Sequence, residues 1–567
     1  MTNNIRVVLW LGLGLALWLN YSQWQMDYGP KPIPPSTSTT ITGGSKAVSL
    51  GDTVPQVTQS TQSAAPAPSA SSPATVASTP ELEASSSTGK VRVTTDVLVL
   101  DIDLMGGTLV RAELPGYPLI KGQPEPVVLF NQDSPETNYV LQSGLAGAKG
   151  EASPTHVTHL QTVANSYQLP PGQNELRVPL TWSDNGVTVT KTFVFHRGSF
   201  AIDLEYSVHN ESTAPWTAAS YLQILRSDPK VERSMFKVES FAYRTPAIFD
   251  PNGKKYQRLN IEKPEDQKLS QVVTDGWLAG LQHHFVSAMV PSPGRPYTYT
   301  LQARGRQYLL AAMGPPVTVA SGTTTVLKEG LFVGPKLQKQ LVTLNKELDR
   351  VADYSWATVF ARPLFALLQF AHNLVRNWGV AIILVTFLLK ALFYPLAQYS
   401  GKSMARMRTL TPRIKAMQET YKDDREKLGR SMMDLYKTEK VNPLSGCLPM
   451  LIQMPVFLAF YWVLLESVEM RQAPFMGWIN DLSSRDPFFI LPALNGLAMW
   501  FQYKLNPPPP DPMQAKVFQF MPLVFSGMFA VFPAGLVLYW VTNTSLSILQ
   551  QWNINRNIAA EDKRRKK

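Results

Sequence analysis

Five long apolar runs crowd the last third of this 567-residue chain, at about 378–397, 448–465, 488–503, 517–532 and 534–550. Runs of this length and composition read as membrane-spanning helices rather than as the core of a soluble domain. The first of them, VAIILVTFLLKALFYPL, holds one charge, Lys390. A lysine near the middle of a bilayer costs about 2.5–3.5 kcal/mol on insertion scales. Two placements reduce that cost. The stem can snorkel along lipid until the ammonium reaches the interface, or the ammonium can point into a wet, protein-lined cavity. The neighbouring runs favour the cavity, because they carry Thr386, Gln453, Asn495, Gln502, Asn543 and Thr544, which need polar partners away from water. Thr386 precedes Lys390 by one helical turn and shares its face. No Asp or Glu lies well inside any run, so the charge has no evident fixed partner and the pattern points to a visiting one.

Loop charges set the expected orientation. Between the first two runs, residues 402–440 hold eleven Lys or Arg against six acids, and the tail 551–567 ends in Lys563, Arg564, Arg565, Lys566 and Lys567. Short basic loops face the cytoplasm. A sixth span makes both termini cytoplasmic, and the start of the chain supplies it. IRVVLWLGLGLALWLNYSQW is one arginine followed by a short apolar run with no small-residue cleavage site, which reads as an uncleaved signal anchor over 1–28. The fourth and fifth spans are short, about 24 Å against a hydrocarbon core of about 30 Å. Pro449, Pro455, Pro492 and Pro522 weaken the helices further. Short helices thin the bilayer around them.

Between the anchor and the helical region the texture changes twice. Residues 29–90 are rich in Pro, Ser, Thr, Ala and Gln, with no period, and read as a flexible linker. Residues 91–352 alternate polar and apolar positions in short runs such as VTVTKTFVFH and FAIDLEYSVH, with a hairpin signal at Gly106-Gly107. This reads as an exported all-β sandwich. Leu337, Leu341, Leu344, Leu348 and Val351, spaced four, three, four, three, predict a helix lying on it. Residues 353–377 predict an amphipathic interfacial helix: Thr358, Arg362, Gln369, Asn373 and Arg376 share one face, while Trp356, Phe360, Leu364, Leu367 and Leu374 fall away from it.

The loop 402–440 predicts a cytoplasmic helical hairpin with an apolar stripe through Met407, Leu410, Ile414, Met417 and Tyr421, resumed at Leu428, Met432 and Leu435. The stripe is either the seam between the two helices or, through adaptable methionines, a contact face for hydrophobic segments. The basic tail reads as a topology signal or as a site for ribosomal RNA or anionic lipid. A single cysteine, Cys447, excludes an intrachain disulfide. Ser400-Gly401-Lys402-Ser403 lacks the first glycine of a phosphate loop and follows no strand. His156, His159, His283 and His284 lack a metal-ligand pattern, and neither a metal nor a cofactor is expected.

NPLSGCLPMLIQMPVFLAFYWVL, RQAPFMGWINDLS, DPFFILP, DPMQAK and FPAGLVLYWVTN closely resemble the YidC family of bacterial membrane protein insertases over about 355–555. The anchor and β region resemble the Gram-negative form, whose periplasmic domain is a β-supersandwich. The resemblance implies six transmembrane helices, five of them forming an insertase core over 378–567. It also implies a hydrophilic groove open to cytoplasm and lipid and closed toward the outside. It places Lys390 as the positive residue that recruits a substrate's polar or acidic outer segment. It places Thr386, Gln453 and Trp540 along the groove or substrate path, with Tyr539 and Asn543 beside them. The family most often has arginine where this chain has Lys390, so the charge is kept and the two-pronged fork is not. Implied partners are nascent membrane proteins, the Sec translocon, the ribosome and membrane lipids, with the protein a monomer in the bacterial inner membrane. Two other readings answer to the same residues: a small-solute transporter binding its cargo at Lys390, which calls for internal repeats, and a sugar-processing enzyme built on the β domain, in which no convincing acid–base pair stands out.

Overall fold

The computed structural model describes residues 49–55, 89–148, 151–228, 244–352, 354, 357–421, 424–439, 448–505 and 512–565. The expected anchor 1–28, most of the linker 29–90, Cys447, Lys566 and Lys567 lie outside the described residues. So do the side chains of Met407, Lys563, Arg564 and Arg565. The described residues fall into two compact units. One is rich in strands and lies within 47–355, with Leu465–Gln472 added; the other is helical and takes in the rest of the chain from 356 onward.

In the β unit the alternation becomes two sheets, one of eleven strands and one of eight. Strand Ala201–Asn210 shows the cause: Ile202, Leu204, Tyr206, Val208 and Asn210 are buried, and every residue between them is partly exposed. It pairs antiparallel with Val187–His196 and Thr323–Pro335, setting Leu204 opposite Phe193 and Ile202 opposite Leu331. The inward residues join one apolar core that includes Phe193, Tyr206, Leu222, Ile224 and Trp277. Each large side chain so buried contributes about 1.5–3 kcal/mol. The hairpin expected at Gly106-Gly107 is present: Asp103 pairs with Thr108, and both glycines are left-handed, at φ 68° and 60°. A Cβ at Gly106 would fall 2.2 Å from the His156 Cα, so this turn excludes a side chain on two grounds.

That alternation also carries a lysine inward. Lys191 shares the buried face of Val187–His196 with Val189, Phe193 and Phe195. Its Nζ donates to the carbonyls of Gly106 (2.7 Å), Gly107 (3.0 Å) and Ser143 (3.0 Å). Three donors meet three acceptors, so the ammonium is saturated. Burial nevertheless pushes its pKa down to about 7.

The continuous helix expected over Leu337 to Val351 is corrected to two pieces, an α-helix at Gln338–Leu344 and a 3-10 turn at Leu348–Val351. Asn345 breaks it with an extended φ of −150°. Its side chain accepts from the Glu347 amide at 2.9 Å, a local bond that competes with the helix. The apolar stripe survives, with Leu341, Leu348 and Val351 in the core.

The helical unit contains α1 (Thr358–Val375), α2 (Trp378–Leu392), α3 (Tyr394–Thr420), α4 (Arg425–Thr438), α5 (Leu448–Glu466), α6 (Ile490–Leu505), α7 (Pro512–Phe529) and α8 (Ala534–Arg565). Within it, α8 packs against α2, α3 and α6, and α1 packs against α2. α1 buries Ala361, Leu364, Phe365, Leu368 and Ala371. Phe360 and Leu374, expected on the apolar side, are exposed together with Val359 and Phe370.

Among the described residues no single helix is long and apolar enough to cross a membrane, but α2 and the start of α3 together meet that test across a 59° bend. The one apolar run expected over 378–397 is therefore two helices set at an angle, not a single straight one. Pro395 explains the break, since it has no amide proton and its ring clashes with the carbonyl four residues back, at Ala391. The other apolar helices start or end a few residues from the expected limits. α6 begins after Phe489, which is left-handed at φ 55°, where the Asp486 carboxylate takes the Leu491 amide at 2.7 Å. α8 does not stop at 550 but continues to Arg565.

The expected hairpin forms from α3 and α4, but α3 starts at Tyr394, not at 402. Asp424 caps α4 by accepting the Lys427 amide at 3.0 Å. Leu410, Ile414 and Tyr436 are buried together, with Met432 and Leu435 packed against them. Met432 is thus part of the seam, while Met417 is half-buried outside that cluster. Ser400-Gly401-Lys402-Ser403 lies within the helix.

Candidate functional site

Helical periodicity on five elements builds a groove with polar lining in the helical unit. α2 and α3 supply Thr386, Lys390, Ala397 and Ser400; α5 supplies Gln453 and Phe457; α6 supplies Met499 and Gln502. α8 supplies the longest stripe: Trp540, Asn543, Thr544, Ser547, Gln550, Gln551 and Ile554 recur every three or four residues. The hollow has a volume of about 360 Å³, and it adjoins a second of about 50 Å³ lined by Thr386, Leu389, Phe393, Leu396, Val456 and Tyr539. Lys390, Ala397, Gln453, Asn543 and Gln550 line both. The structure therefore brings together all six residues singled out for the groove. Of the six polar residues noted within the apolar runs, only Asn495 lies apart; it is buried, with its Nδ2 3.6 Å from the Met499 Sδ.

Lys390 is half-buried, and its Nζ donates to the Ser547 Oγ at 2.7 Å. Among the described residues no carboxylate pairs with it. Thr386 is turned onto its own helix, donating to the Ile382 carbonyl at 2.6 Å. The Gln453 amide donates to the Asn543 Oδ1. Tyr539 is buried and stacks on Phe460, with centroids 4.3 Å apart, and Trp540 meets Phe457 edge-on at 4.7 Å. The lining therefore mixes aromatic rings with amides, hydroxyls and one cation on the same helices.

The helix ends away from Lys390 are tied to the loop at 473–489. Asn377, the N-cap of α2, accepts the Val380 amide at 3.0 Å and donates to the Phe475 carbonyl at 2.8 Å. A Cβ on Gly379 would fall 2.1 Å from the Phe475 ring, so this contact needs glycine. At the start of α8, the Ala534 and Gly535 amides donate to the Ser484 and Leu482 carbonyls at 2.7 and 2.9 Å. Asp486 is buried and takes the Trp478 Nε1 at 3.1 Å.

Sequence reasoning missed Ser547, Gln550, Gln551 and Ser400. The signal was present as the three-and-four spacing that runs from Trp540 to Ile554, which continues the face already marked by Asn543. It also missed Lys191, whose inward register is legible in the alternation of VTVTKTFVFH. His156 and His284 are buried and His159 is exposed: the His156 ring lies 2.8 Å from the Tyr221 hydroxyl and 2.9 Å from the Gly51 carbonyl, and the half-buried His283 stacks on His284 at 3.8 Å. Among the described residues no cluster of three potential metal ligands occurs.

The chain thus joins a unit of apolar helices, with a polar-lined hollow, to a two-sheet β unit, the combination expected of a membrane protein with a large extramembrane domain. A family model described as 60Kd inner membrane protein matches residues 370–562, and one described as YidC periplasmic domain matches residues 90–367. A membrane protein insertase YidC of Nitrosococcus oceani is 42% identical over 562 residues, covering 98% of this chain and 99% of that protein. Another from Methylococcus capsulatus is also 42% identical over 562 residues, covering 98% of each. This chain belongs to the YidC family of membrane protein insertases. A solved active YidC insertase, with its first transmembrane domain resolved, aligns over 82% of this chain and 92% of its own at 17% identity, with a TM-score of 0.37. The family is one of inner-membrane proteins with a periplasmic β-sandwich domain and a helical C-terminal region, and its members are named as insertases, not as enzymes.

Proposed function

We propose that this chain inserts inner-membrane proteins and assists their folding, taking the polar outer segment of a substrate into the groove and releasing its hydrophobic helix sideways into lipid. The observation that carries the reading is the Lys390 ammonium in the groove, bonded to a neutral hydroxyl with no carboxylate beside it among the described residues. A cation so placed attracts acidic segments, and the surrounding amides and hydroxyls lower the cost of desolvating polar ones. The short apolar helices thin the bilayer and shorten the path. No external energy source is required, because burial of the substrate's apolar helix in lipid drives the step.

The proposed layout has six spans, with the anchor 1–28 first, both termini cytoplasmic and the β unit periplasmic. α1 lies in the membrane interface with Val359, Phe360, Phe370 and Leu374 toward lipid. The hairpin of α3 and α4 and the basic tail face ribosome-bound nascent chains. The protein works as a monomer, alone or beside the Sec translocon. Lys390→Ala is expected to reduce insertion of substrates with acidic outer segments about tenfold, roughly the value of one charge-assisted hydrogen bond. Full activity in that variant, scored by protease protection of the outer segment, rejects the charge role.

A further inference from the structure

We infer that Ser547 is a specificity-determining residue of the groove: its hydroxyl holds the Lys390 ammonium as a replaceable neutral partner, which keeps the charge inside the groove and reserves it for substrate carboxylates. The inference rests on the role proposed for Lys390.

The polarity of the contact carries the argument. A serine hydroxyl has one proton to give. Ser547 gives it to the carbonyl of Asn543, one turn back on α8, at 2.8 Å. Its oxygen is thereby left as an acceptor, and the Lys390 Nζ donates to it at 2.7 Å. The hydroxyl is oriented before any ligand arrives. Ser547 also sits one turn beyond Asn543, whose Oδ1 takes the Gln453 amide while the Lys390 Nζ bonds to Ser547.

Two consequences follow. Lys390 lies in the last turn of α2, three residues before the break at Phe393, where a long stem is free to swing toward the basic end of the bundle. The bond to Ser547 on another helix directs it across the groove instead. Second, a neutral acceptor binds an ammonium more weakly than a carboxylate does. A substrate Asp or Glu displaces the hydroxyl, whereas an uncharged amide gains nothing by the exchange. An acid at 547 would fill the place of the substrate permanently.

The test uses the full-length protein in proteoliposomes and two single-span substrates, identical except for two Asp or two Asn in the outer segment. Ser547→Ala is expected to lower insertion of the Asp substrate about tenfold, and Ser547→Asp at least as far. In both variants the loss for the Asn substrate should be clearly smaller than for the Asp substrate, and thermal unfolding of the purified proteins within a few degrees of the parent shows that the variants are folded. Ser547→Thr, which keeps the hydroxyl, should restore the preference for Asp. If Ser547→Ala and Ser547→Asp insert the Asp substrate normally while Lys390→Ala does not, Ser547 has no such role and the reading of Lys390 stands. If Lys390→Ala is itself unimpaired, both fall.

Discussion

Lys191 in the β unit and Lys390 in the helical unit each hold an ammonium away from bulk water, and their surroundings differ in one respect. Around Lys191 three carbonyls use all three protons, and the Phe193 and Tyr206 rings stand 5.2 and 5.8 Å away. Around Lys390 one hydroxyl uses one proton and the rest of the head faces a hollow. The first arrangement is complete and pins the Gly106-Gly107 turn to strand Tyr139–Gly147. The second leaves donors unused, which is what the role proposed for Lys390 requires. Burial alone does not distinguish the two lysines; the count of unused donors does.

The largest expected effect tests that separation directly. Lys191→Ala leaves three buried carbonyls without a donor and opens a void, which should cost the β unit about 3–5 kcal/mol. Lys390→Ala should shift the stability of the helical unit by less than about 1 kcal/mol. Exchange protection of strand Val187–His196 and of α2 in denaturant measures both, and equal losses would break the contrast.

A smaller effect appears with pH. An unfolded lysine titrates near 10.4, and Lys191 in the folded β unit is depressed to about 7. Between those values the unfolded chain binds the additional proton, so stability rises with pH. From about pH 7 to 9 the gain should be about 1–2 kcal/mol, reduced from the full linkage value by the three carbonyls that favour the charge. Burial raises the pKa of Tyr221 and Tyr206, so ionisation of these groups reverses the trend above about pH 10. Lys191→Met should flatten the rise, and an unchanged slope would assign it to another group.

The smallest effect is expected from Lys390→Arg. The guanidinium carries the same charge and can donate to Ser547 with protons to spare. Insertion of the Asp substrate should stay within about twofold of the parent. A larger drop would mean that a compact ammonium, not charge alone, fits this groove.

Much of this architecture was legible before any coordinates. Strict alternation in FAIDLEYSVH fixes which side chains face the core, and the one-turn spacing of Thr386 and Lys390 fixes a shared helical face. Local competition was harder to read. Asn345 ends a helix through a bond to the amide two residues on, and Pro395 bends a run whose hydropathy is continuous. In both cases the apolar period persists across the break, so the period alone hides it. Ser547 escaped notice for a different reason: serine is unremarkable in an apolar helix until the residue opposite it is known.

The bonds of the loop at 473–489 have a mechanical consequence. α2 and α8 are fastened to it at their first turns, through Asn377 and Phe475 on one side and Ser484 and Ala534 on the other. With these bonds intact, any parting of the two helices amounts to a rotation about the fastened ends. Lys390 lies twelve residues along α2, about 18 Å from that pivot, so a 10° splay moves it about 3 Å. That travel is enough to separate the ammonium from Ser547.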